Sequence, residues 1–351
     1  MKKLIHLAAP LRNVGDNALI LGVKEQFKQV NLDLKPLRST VINRSFINLV
    51  NEKYDGLIIG GGGLLHAPKS ILDRTKDTSG TLIMVDTNNL KYLKKPLIIF
   101  GVGYNVFRGE TDLPDIAKKS IEDLVKAAIH FSVRNDGSYT RLSNFLGKEL
   151  KEILVTPDPG LFMNSSEFNL SNKVKGKNIA IQLAADRLNH RFNGKIEVDR
   201  FISEIKKFVL SNPEINFWIT SHCPIDEKFV NKHFKEFKRV PIMLGLCDAE
   251  KMMGFYKKMD VVIGQRGHGN ICPFGINVPI ISLVSHDKNL GFMEDVGFQD
   301  YAVSASNKNL SNELNVLINK IDDSYIEKQR IKNLELKEIS DNHVKKIISQ
   351  L

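Results

Sequence analysis

Short apolar segments alternate with amphipathic segments along the whole chain. Ten segments of five to nine residues are rich in Val, Ile, Leu and Phe, a pattern typical of strands buried on both faces of a parallel sheet. They cover residues 3–9, 54–60, 95–103, 129–135, 152–156, 177–183, 215–220, 240–244, 260–264 and 278–284. Between them, residues 16–30, 115–129 and 199–210 have the apolar periodicity of helices. The alternation predicts an α/β protein.

The number of predicted strands indicates two domains, because ten strands exceed an ordinary open sheet. The stretch 158–178 is polar, rich in Asn and Ser, and without periodicity, so we place the domain boundary there. Residues 1–165 are assigned to an N-terminal and residues 166–325 to a C-terminal Rossmann-like domain, both doubly wound and facing a cleft. Residues 326–351 are predicted to form a charged amphipathic helix that packs back on the N-terminal domain.

The composition is that of a globular protein, with 351 residues of which 42% are hydrophobic and 26% charged. No apolar run reaches the ~20 residues that a membrane helix needs. The apolar start breaks at Pro10, Arg12 and Asp16, which favours a first buried strand over a signal peptide. The three cysteines are scattered and form neither a disulfide framework nor a metal-binding pair. We therefore expect a cytoplasmic protein without a metal site.

The formal net charge is +10, carried mainly by lysines spread along the chain. A basic stripe with interleaved aromatic residues is absent from the sequence, which argues against nucleic-acid binding. An even excess of lysine fits a solvated surface. The alternative is attraction to anions, either phosphorylated substrates or a lipid surface.

In doubly wound sheets, ligands bind beyond the carboxyl ends of the strands, so the residues that follow each predicted strand are candidates for a site. Asp16 can cap the first helix, and the free N–H groups there suit an anion. The glycine run that ends at Gly63 lets the backbone approach a ligand closely but lacks either nucleotide-binding fingerprint. An ordinary cap or a local hydrogen-bonding role is the alternative. The residues assigned to acceptor or anion binding are Asp16, Asn17, Gly62, Gly63, His66, Tyr104 and Asn105.

Two further strand ends carry candidates for donor binding. Arg134 ends the predicted strand 129–135, where its forked guanidinium would face an anion, with a surface salt bridge as the alternative. Ser221 and His222 follow the strand 215–220 and are candidates for binding phosphate or sugar hydroxyls, although a plain turn fits them equally well.

Arg266 and His268 lie two residues apart, just past the predicted strand 260–264, in a turn that opens a short helix. The helix N-terminus adds partial positive charge beside both side chains. An imidazole moves protons near physiological pH, so the pair predicts an anion site with a proton carrier next to it. The alternative for His268 is a structural histidine that ties the turn together.

Taken in order, the motifs resemble those of the polysaccharide pyruvyl transferase family. They are "NVGDNALI", "DGLIIGGGGLLH", "GVGYN", "FSVRNDGSYTRLSNFLG", "VTPDPGLF" and "DVVIGQRGHGNICPFGINVPIISLVSHDKNLGFMEDVG". Each motif is weak by itself, but their order and spacing are specific. Where family members often carry an apolar residue between Arg266 and His268, this chain has Gly267.

The resemblance implies a fold similar to the two-domain glycosyltransferase-B type. It implies an enzyme that transfers pyruvate from phosphoenolpyruvate to a sugar of a surface polysaccharide or exopolysaccharide, forming a ketal and releasing phosphate. Donor-binding and acid/base roles carry over to Arg134, Arg266 and His268 only, with His268 as the catalytic residue. Phosphoenolpyruvate is a co-substrate, and no cofactor is expected. The implied acceptor is an oligosaccharide or a lipid-linked saccharide.

Two other functions fit the same residues. The first is a glycosyltransferase with a nucleotide-sugar donor, which would share the architecture. The second is a non-catalytic glycan-binding protein. Release of phosphate from phosphoenolpyruvate, release of a nucleotide from a sugar nucleotide, and binding without turnover distinguish the three.

Overall fold

A computed structural model describes residues 1–9, 13–67, 79–170, 176–237 and 249–351. Within these residues, eleven strands form two sheets in which every strand pair is parallel. The strands of the first sheet are β1 (Lys3–Ala8), β2 (Asn31–Pro36), β3 (Gly56–Leu65), β4 (Leu97–Tyr104), β5 (His130–Arg134) and β6 (Ile153–Thr156). Those of the second are β7 (Asn178–Gln182), β8 (Asn216–Thr220), β9 (Val261–Gly264), β10 (Ile280–Val284) and β11 (Ala302–Ser304).

Helices connect the strands of each sheet. Around the first sheet lie α1 (Val14–Gln26), α2 (Arg44–Lys53), α3 (Asp115–Ala127) and α4 (Ser138–Leu146). Around the second lie α5 (Leu188–Arg191), α6 (Lys195–Leu210), α7 (Pro224–His233), α8 (Ala249–Tyr256), α9 (Gly267–Gly275), α10 (Asp287–Asp295), α11 (Leu310–Lys320) and α12 (Asp323–Ser349). Short 3₁₀ turns cover Leu37–Ser39, Thr87–Tyr92, Pro159–Leu161 and Gln299–Tyr301.

Nine of the ten predicted strands are present, and the tenth, residues 240–244, lies outside the described residues. The sequence patterns missed β2 and β11. Both are edge strands, and β2 has no fully buried residue, so neither needs a continuous apolar run. The prediction that the glycines form a loop after β3 is wrong, because the strand continues through them to Leu65. Positive φ angles of 71° at Gly61 and 122° at Gly62 allow an irregular register there while pairing with β4 resumes.

Each sheet has one switch point, where its strand order reverses. The first sheet has the order β2-β1-β3-β4-β5-β6, and the second, read from its other edge, has β8-β7-β9-β10-β11. In each, the order reverses beside the first strand, and a crevice is expected at that point beyond the carboxyl ends of the strands. Residues after β1 and at the end of β3 line one cavity together with residues after β7 and β9.

The C-terminal helix α12 contacts both halves of the chain. Near its start, Tyr325 exchanges hydrogen bonds with the backbone of Ile280 in β10. Near its end, Val344 and Ile347 are buried in an apolar cluster with Phe27 and with strands of the first sheet. One helix thus packs on the second domain and then returns to the first, which restricts their relative movement.

A cationic candidate active site between the two domains

A cavity of about 210 Å³ lies where the two switch points face each other. Among the described residues, its wall contains five arginines and one lysine but only two carboxylates. These charged residues are Arg38, Arg134, Arg187, Arg191, Arg266, Lys288, Asp16 and Asp186. A partly enclosed space with such an excess of cations attracts anions strongly, because little water screens the charges.

Eight of the residues predicted from the sequence line this cavity. They are Asp16, Gly62, Gly63, His66, Asn105, Arg134, Arg266 and His268. Four other predicted residues, Asn17, Tyr104, Ser221 and His222, are not part of its wall.

Burial keeps Ser221 and His222 away from the cavity. The Ser221 hydroxyl donates to the carboxylate of Glu227, and His222 Nε2 lies 2.6 Å from the hydroxyl of Tyr256. Burial, together with the charge of Arg266, lowers the pKa of His222 to about 3. The backbone carbonyl of His222 accepts from the N–H of Val14, 3.0 Å away, so this turn joins the domains. Both side chains thus contact protein groups outside the cavity wall, and donor binding by Ser221 and His222 stays a prediction.

Asn17 and Tyr104 also differ from the prediction. Asn17 follows Asp16 by one helical residue and points about 100° away from it around the axis of α1. Tyr104 is only 4% exposed, and its hydroxyl donates to Asp112. The first helix is capped by Asn13, whose Oδ1 accepts from the N–H of Gly15, and not by Asp16. Asp16 is thus free of the capping role and faces the cavity from the first turn.

His268 lies in the first turn of α9 and reaches across to loops of the first domain. Its ring packs on Gly15 and Gly160, since a Cβ atom built on Gly15 would lie 2.6 Å from its Nδ1 atom. Its Nε2 atom is buried and has no hydrogen-bond partner among the described residues. The carboxylate of Asp158 is 3.8 Å from Nε2, which is too long for a hydrogen bond but close for opposite charges.

Asp158 is fully buried and opens the 3₁₀ turn after β6. One of its oxygens accepts from the N–H of Gly160 at 2.8 Å, and the other is 3.2 Å from Arg134 Nη1. Burial opposes the carboxylate charge, but His268 and Arg134 together lower the pKa of Asp158. The carboxylate of Asp158 is therefore ionised and lies near the imidazole of His268. The sequence interpretation missed Asp158, although the motif "TPDPG" contains it.

Arg134 sits where the sequence placed it, at the end of β5. It is 2% exposed, and its Nε atom is 2.7 Å from the Asp136 carboxylate. Burial opposes the charge of the guanidinium, but Asp136 and Asp158 raise its pKa overall. One edge of the Arg134 guanidinium packs on Gly103, where an added Cβ atom would lie 2.5 Å from Nε. Arg134 is therefore a fixed positive charge in the cavity wall.

Arg266 is also committed to protein partners. Its Nε and Nη2 atoms lie 2.6 and 2.7 Å from the two oxygens of Asp226, a bidentate pair. Nη2 is also 2.8 Å from Asp186. Although burial opposes the charge, these carboxylates raise the pKa of Arg266 well above its usual value. The guanidinium thus braces the turn that carries His268.

The surroundings of Lys288, the lysine of the cavity wall, disfavour its charge. It lies in the first turn of α10, and its Nζ atom donates to Asn105 Oδ1 at 3.3 Å. Burial and the charges of Arg134 and Arg191 lower the pKa of Lys288 to about 7. A bound anion would reverse this repulsion. The sequence interpretation quoted the segment of Lys288 without selecting the lysine, because its neighbours are brought together only by the fold.

A loop after β4 crosses from the first domain to the second beside the cavity. Phe107 packs on the ring of His286, with centroids 3.8 Å apart, and the Arg187 guanidinium lies 4.2 Å from its ring centre. Arg187 Nη1 is 3.2 Å from Glu110, and Arg108 pairs with Asp287. These contacts hold one wall of the cavity in place.

The family follows from comparison with known proteins. The sequence profile described as polysaccharide pyruvyl transferase matches residues 13–287, most of the chain. The chain belongs to the polysaccharide pyruvyl transferase family. The family segment starts at the cap of α1 and includes Asp158, Arg266 and His268. Lys288 stands one residue beyond its end. No curated protein sequence matches the chain.

Solved structures share the fold of this family member. A co-structure of S. aureus MnaA with UDP is 13% identical with a TM-score of 0.53, covering 94% of this chain and 90% of that one. UDP-GlcNAc 2-epimerase from Neisseria meningitidis bound to UDP-GlcNAc is 12% identical with a TM-score of 0.57, covering 100% and 99%. Spinosyn rhamnosyltransferase SpnG with spinosyn aglycone is 10% identical with a TM-score of 0.55, covering 99% and 100%. The predicted two-domain architecture of the glycosyltransferase-B type is confirmed.

The described residues contain no group of three or more His, Cys, Asp or Glu side chains arranged to hold a metal ion. None of their helices is long and apolar enough to cross a membrane.

Proposed function

We propose that this transferase moves the pyruvyl group of phosphoenolpyruvate onto two hydroxyls of a glycan sugar, forming a pyruvate ketal and releasing phosphate. One observation carries the proposal: motifs within the family segment converge on a strongly cationic cavity with a histidine in its wall. Phosphoenolpyruvate bears a carboxylate and a phosphate. A cavity with five arginines and a lysine matches that charge.

The donor would be held mainly by Lys288, Arg187 and Arg134. Lys288 gains a full charge when an anion arrives, because its pKa in the free protein is about 7. Arg187 is 24% exposed at its side chain, so its guanidinium is accessible from the cavity. Arg266 is already paired with Asp226. It would act on the donor indirectly, through the conformation of the turn that it holds and through its positive charge.

His268 would move the protons. Protonation of the donor's CH₂ carbon gives a methyl group and a cation-like carbon, which the first sugar hydroxyl attacks. The bond to the phosphate oxygen then breaks, and the second hydroxyl closes the ketal. Two hydroxyl protons are lost: one replaces the proton that His268 gave to carbon, and the other leaves with phosphate. General acid–base catalysis of this kind contributes about 10²–10⁴-fold to rate.

The acceptor sugar would lie on the side of the first domain, against Asp16 and the glycine segment. Asp16 can accept a hydrogen bond from a sugar hydroxyl, and Gly62 and Gly63 line the same cavity without side chains, so their backbone can approach a ring. We infer an oligosaccharide or a lipid-linked saccharide of a surface polysaccharide as acceptor. The reaction would take place in the cytoplasm, at the inner face of the membrane, without a cofactor.

The test is incubation with phosphoenolpyruvate and a set of candidate oligosaccharides. A product heavier than the acceptor by one ketal-linked pyruvate, with one phosphate released per product, supports the proposal. His268→Gln, which keeps hydrogen bonding but cannot cycle a proton, is the matched control. Release of a nucleotide from a sugar nucleotide, with phosphoenolpyruvate inert, would support a glycosyltransferase instead. The neighbours determined with UDP and UDP-GlcNAc make that the second candidate. Binding of glycans with neither reaction would indicate a non-catalytic protein.

A further inference from the structure

The environment of His268 contains a feature that the proposed reaction does not yet use. Its Nε2 atom is buried and makes no hydrogen bond to a described residue, and the Asp158 carboxylate lies 3.8 Å away. The opposite ring nitrogen, Nδ1, lies on the side of Gly15, which precedes the cavity residue Asp16. The two nitrogens of this histidine therefore have different surroundings.

Asp158 is built into its place. Its backbone N–H donates to Asn135 at 2.8 Å, and its Oδ1 atom caps the following turn at Gly160. The remaining atom, Oδ2, meets Arg134 at 3.2 Å on one side and His268 on the other. A buried carboxylate with one oxygen used for structure presents the other to the imidazole in a fixed direction.

We propose that Asp158 is the positioning residue for His268, holding a proton on Nε2 and leaving Nδ1 to exchange the substrate's proton. Separations of this kind shorten when substrate closes a site, because hydrogen bonds between catalytic groups are often long without ligand. The pair also joins the two domains. Asp158 follows a strand of the first sheet and His268 follows a strand of the second, so the pair exists only while the domains are docked. The assignment of a proton-transfer role rests on the proposed function.

Other titratable groups lie near His268. The carboxylate of Asp158 is 3.8 Å from Nε2, and Asp16, Arg134 and Arg266 line the same cavity as the imidazole. The charge of His268 also acts on the buried ring of His222. The change Asp158→Asn removes the negative charge beside Nε2 and keeps the other groups.

The first experiment needs no substrate. Side-chain ¹⁵N spectra of the free protein, with His268 assigned by its loss in His268→Gln, report which nitrogen carries the proton. We expect the Nε2–H form in the wild type. In Asp158→Asn, where asparagine can still cap the turn, we expect a mixture of the two tautomers. Asp300→Asn, an exposed change elsewhere, should leave the wild-type tautomer unchanged. A wild-type Nδ1–H form, or the same tautomer in the wild type and Asp158→Asn, overturns the proposal.

The second experiment measures turnover with phosphoenolpyruvate and an oligosaccharide acceptor. Asp158→Asn should lower kcat by about 10–100-fold, less than loss of the histidine, while KM for phosphoenolpyruvate changes by less than about twofold. A wild type with no turnover but with the expected spectra would refute the proposed function and keep the positioning of His268. Normal kcat in Asp158→Asn would refute the positioning alone.

Discussion

Lys288 offers a prediction in which binding and stability change in opposite directions. Its pKa in the folded, ligand-free protein is about 7, against 10.5 for an ordinary lysine. At about 1.4 kcal/mol for each pKa unit, the difference corresponds to roughly 4–5 kcal/mol of unfavourable free energy for the charged form. Burial causes most of it, with Arg134 and Arg191 adding repulsion. The change Lys288→Gln removes that charge and keeps most of the volume.

The pH dependence follows from proton binding. Between pH 7 and 10.5 the unfolded chain holds the Lys288 proton and the folded protein has lost it. The unfolding free energy of the wild type therefore rises with pH across this window, relative to Lys288→Gln. We expect Lys288→Gln to be more stable than the wild type near pH 6–7, by at least about 1 kcal/mol, and the two to converge by about pH 10. Urea denaturation at several pH values measures the difference.

Binding should move the other way. A trianionic donor restores the charge of Lys288, so the wild type takes up a proton on binding above pH 7 and its affinity falls about tenfold by pH 8. Lys288→Gln should bind phosphoenolpyruvate at least about tenfold more weakly at pH 7, the scale of a charged hydrogen bond. Calorimetry in two buffers of different ionisation heat measures both quantities.

The matched control is Lys257→Gln, an exposed lysine outside the cavity. It should alter neither stability nor affinity. The reasoning about Lys288 is refuted if Lys288→Gln is less stable than the wild type at pH 6–7. It is equally refuted if its affinity and proton uptake match those of the wild type.

Three further variants test the contacts around the cavity. Arg266→Ala leaves Asp226 buried without its bidentate partner. We expect the unfolding free energy, measured by urea denaturation, to fall by about 3–5 kcal/mol. A variant with changed donor affinity and unchanged stability would contradict this. Gly15→Ala places a methyl group 2.6 Å from His268 Nδ1. Turnover should fall by about tenfold or more, while the donor affinity measured by calorimetry stays within about twofold of the wild type. Unchanged turnover would show that the ring of His268 can move freely. Phe107→Ala removes a buried ring from between the domains, so the melting temperature should fall with a loss of about 3–5 kcal/mol, and an unchanged melting curve would show that the loop does not hold them together.

The sequence by itself determined the fold class and the region of the site. Buried strands such as β4 and β9 must be continuously apolar, so their positions were visible, and parallel strands send their carboxyl ends to one edge. Arg134 ends one such strand and His268 follows another, and both line the cavity. Edge strands such as β2 cannot be recognised in this way, because exposed strands do not need a continuous run of apolar residues.

Only the tertiary structure decided which of the candidate side chains work together. Ser221 and Arg134 both follow strands, yet one turns into its own domain and the other into the cavity, a choice made by packing. Asp158 and His268 are 110 positions apart in the chain and follow strands of different sheets. Lys288 looks like any lysine until folding brings Arg134 and Arg191 near it. Charges act through space in a medium set by burial, and neither distance nor burial can be read along the chain.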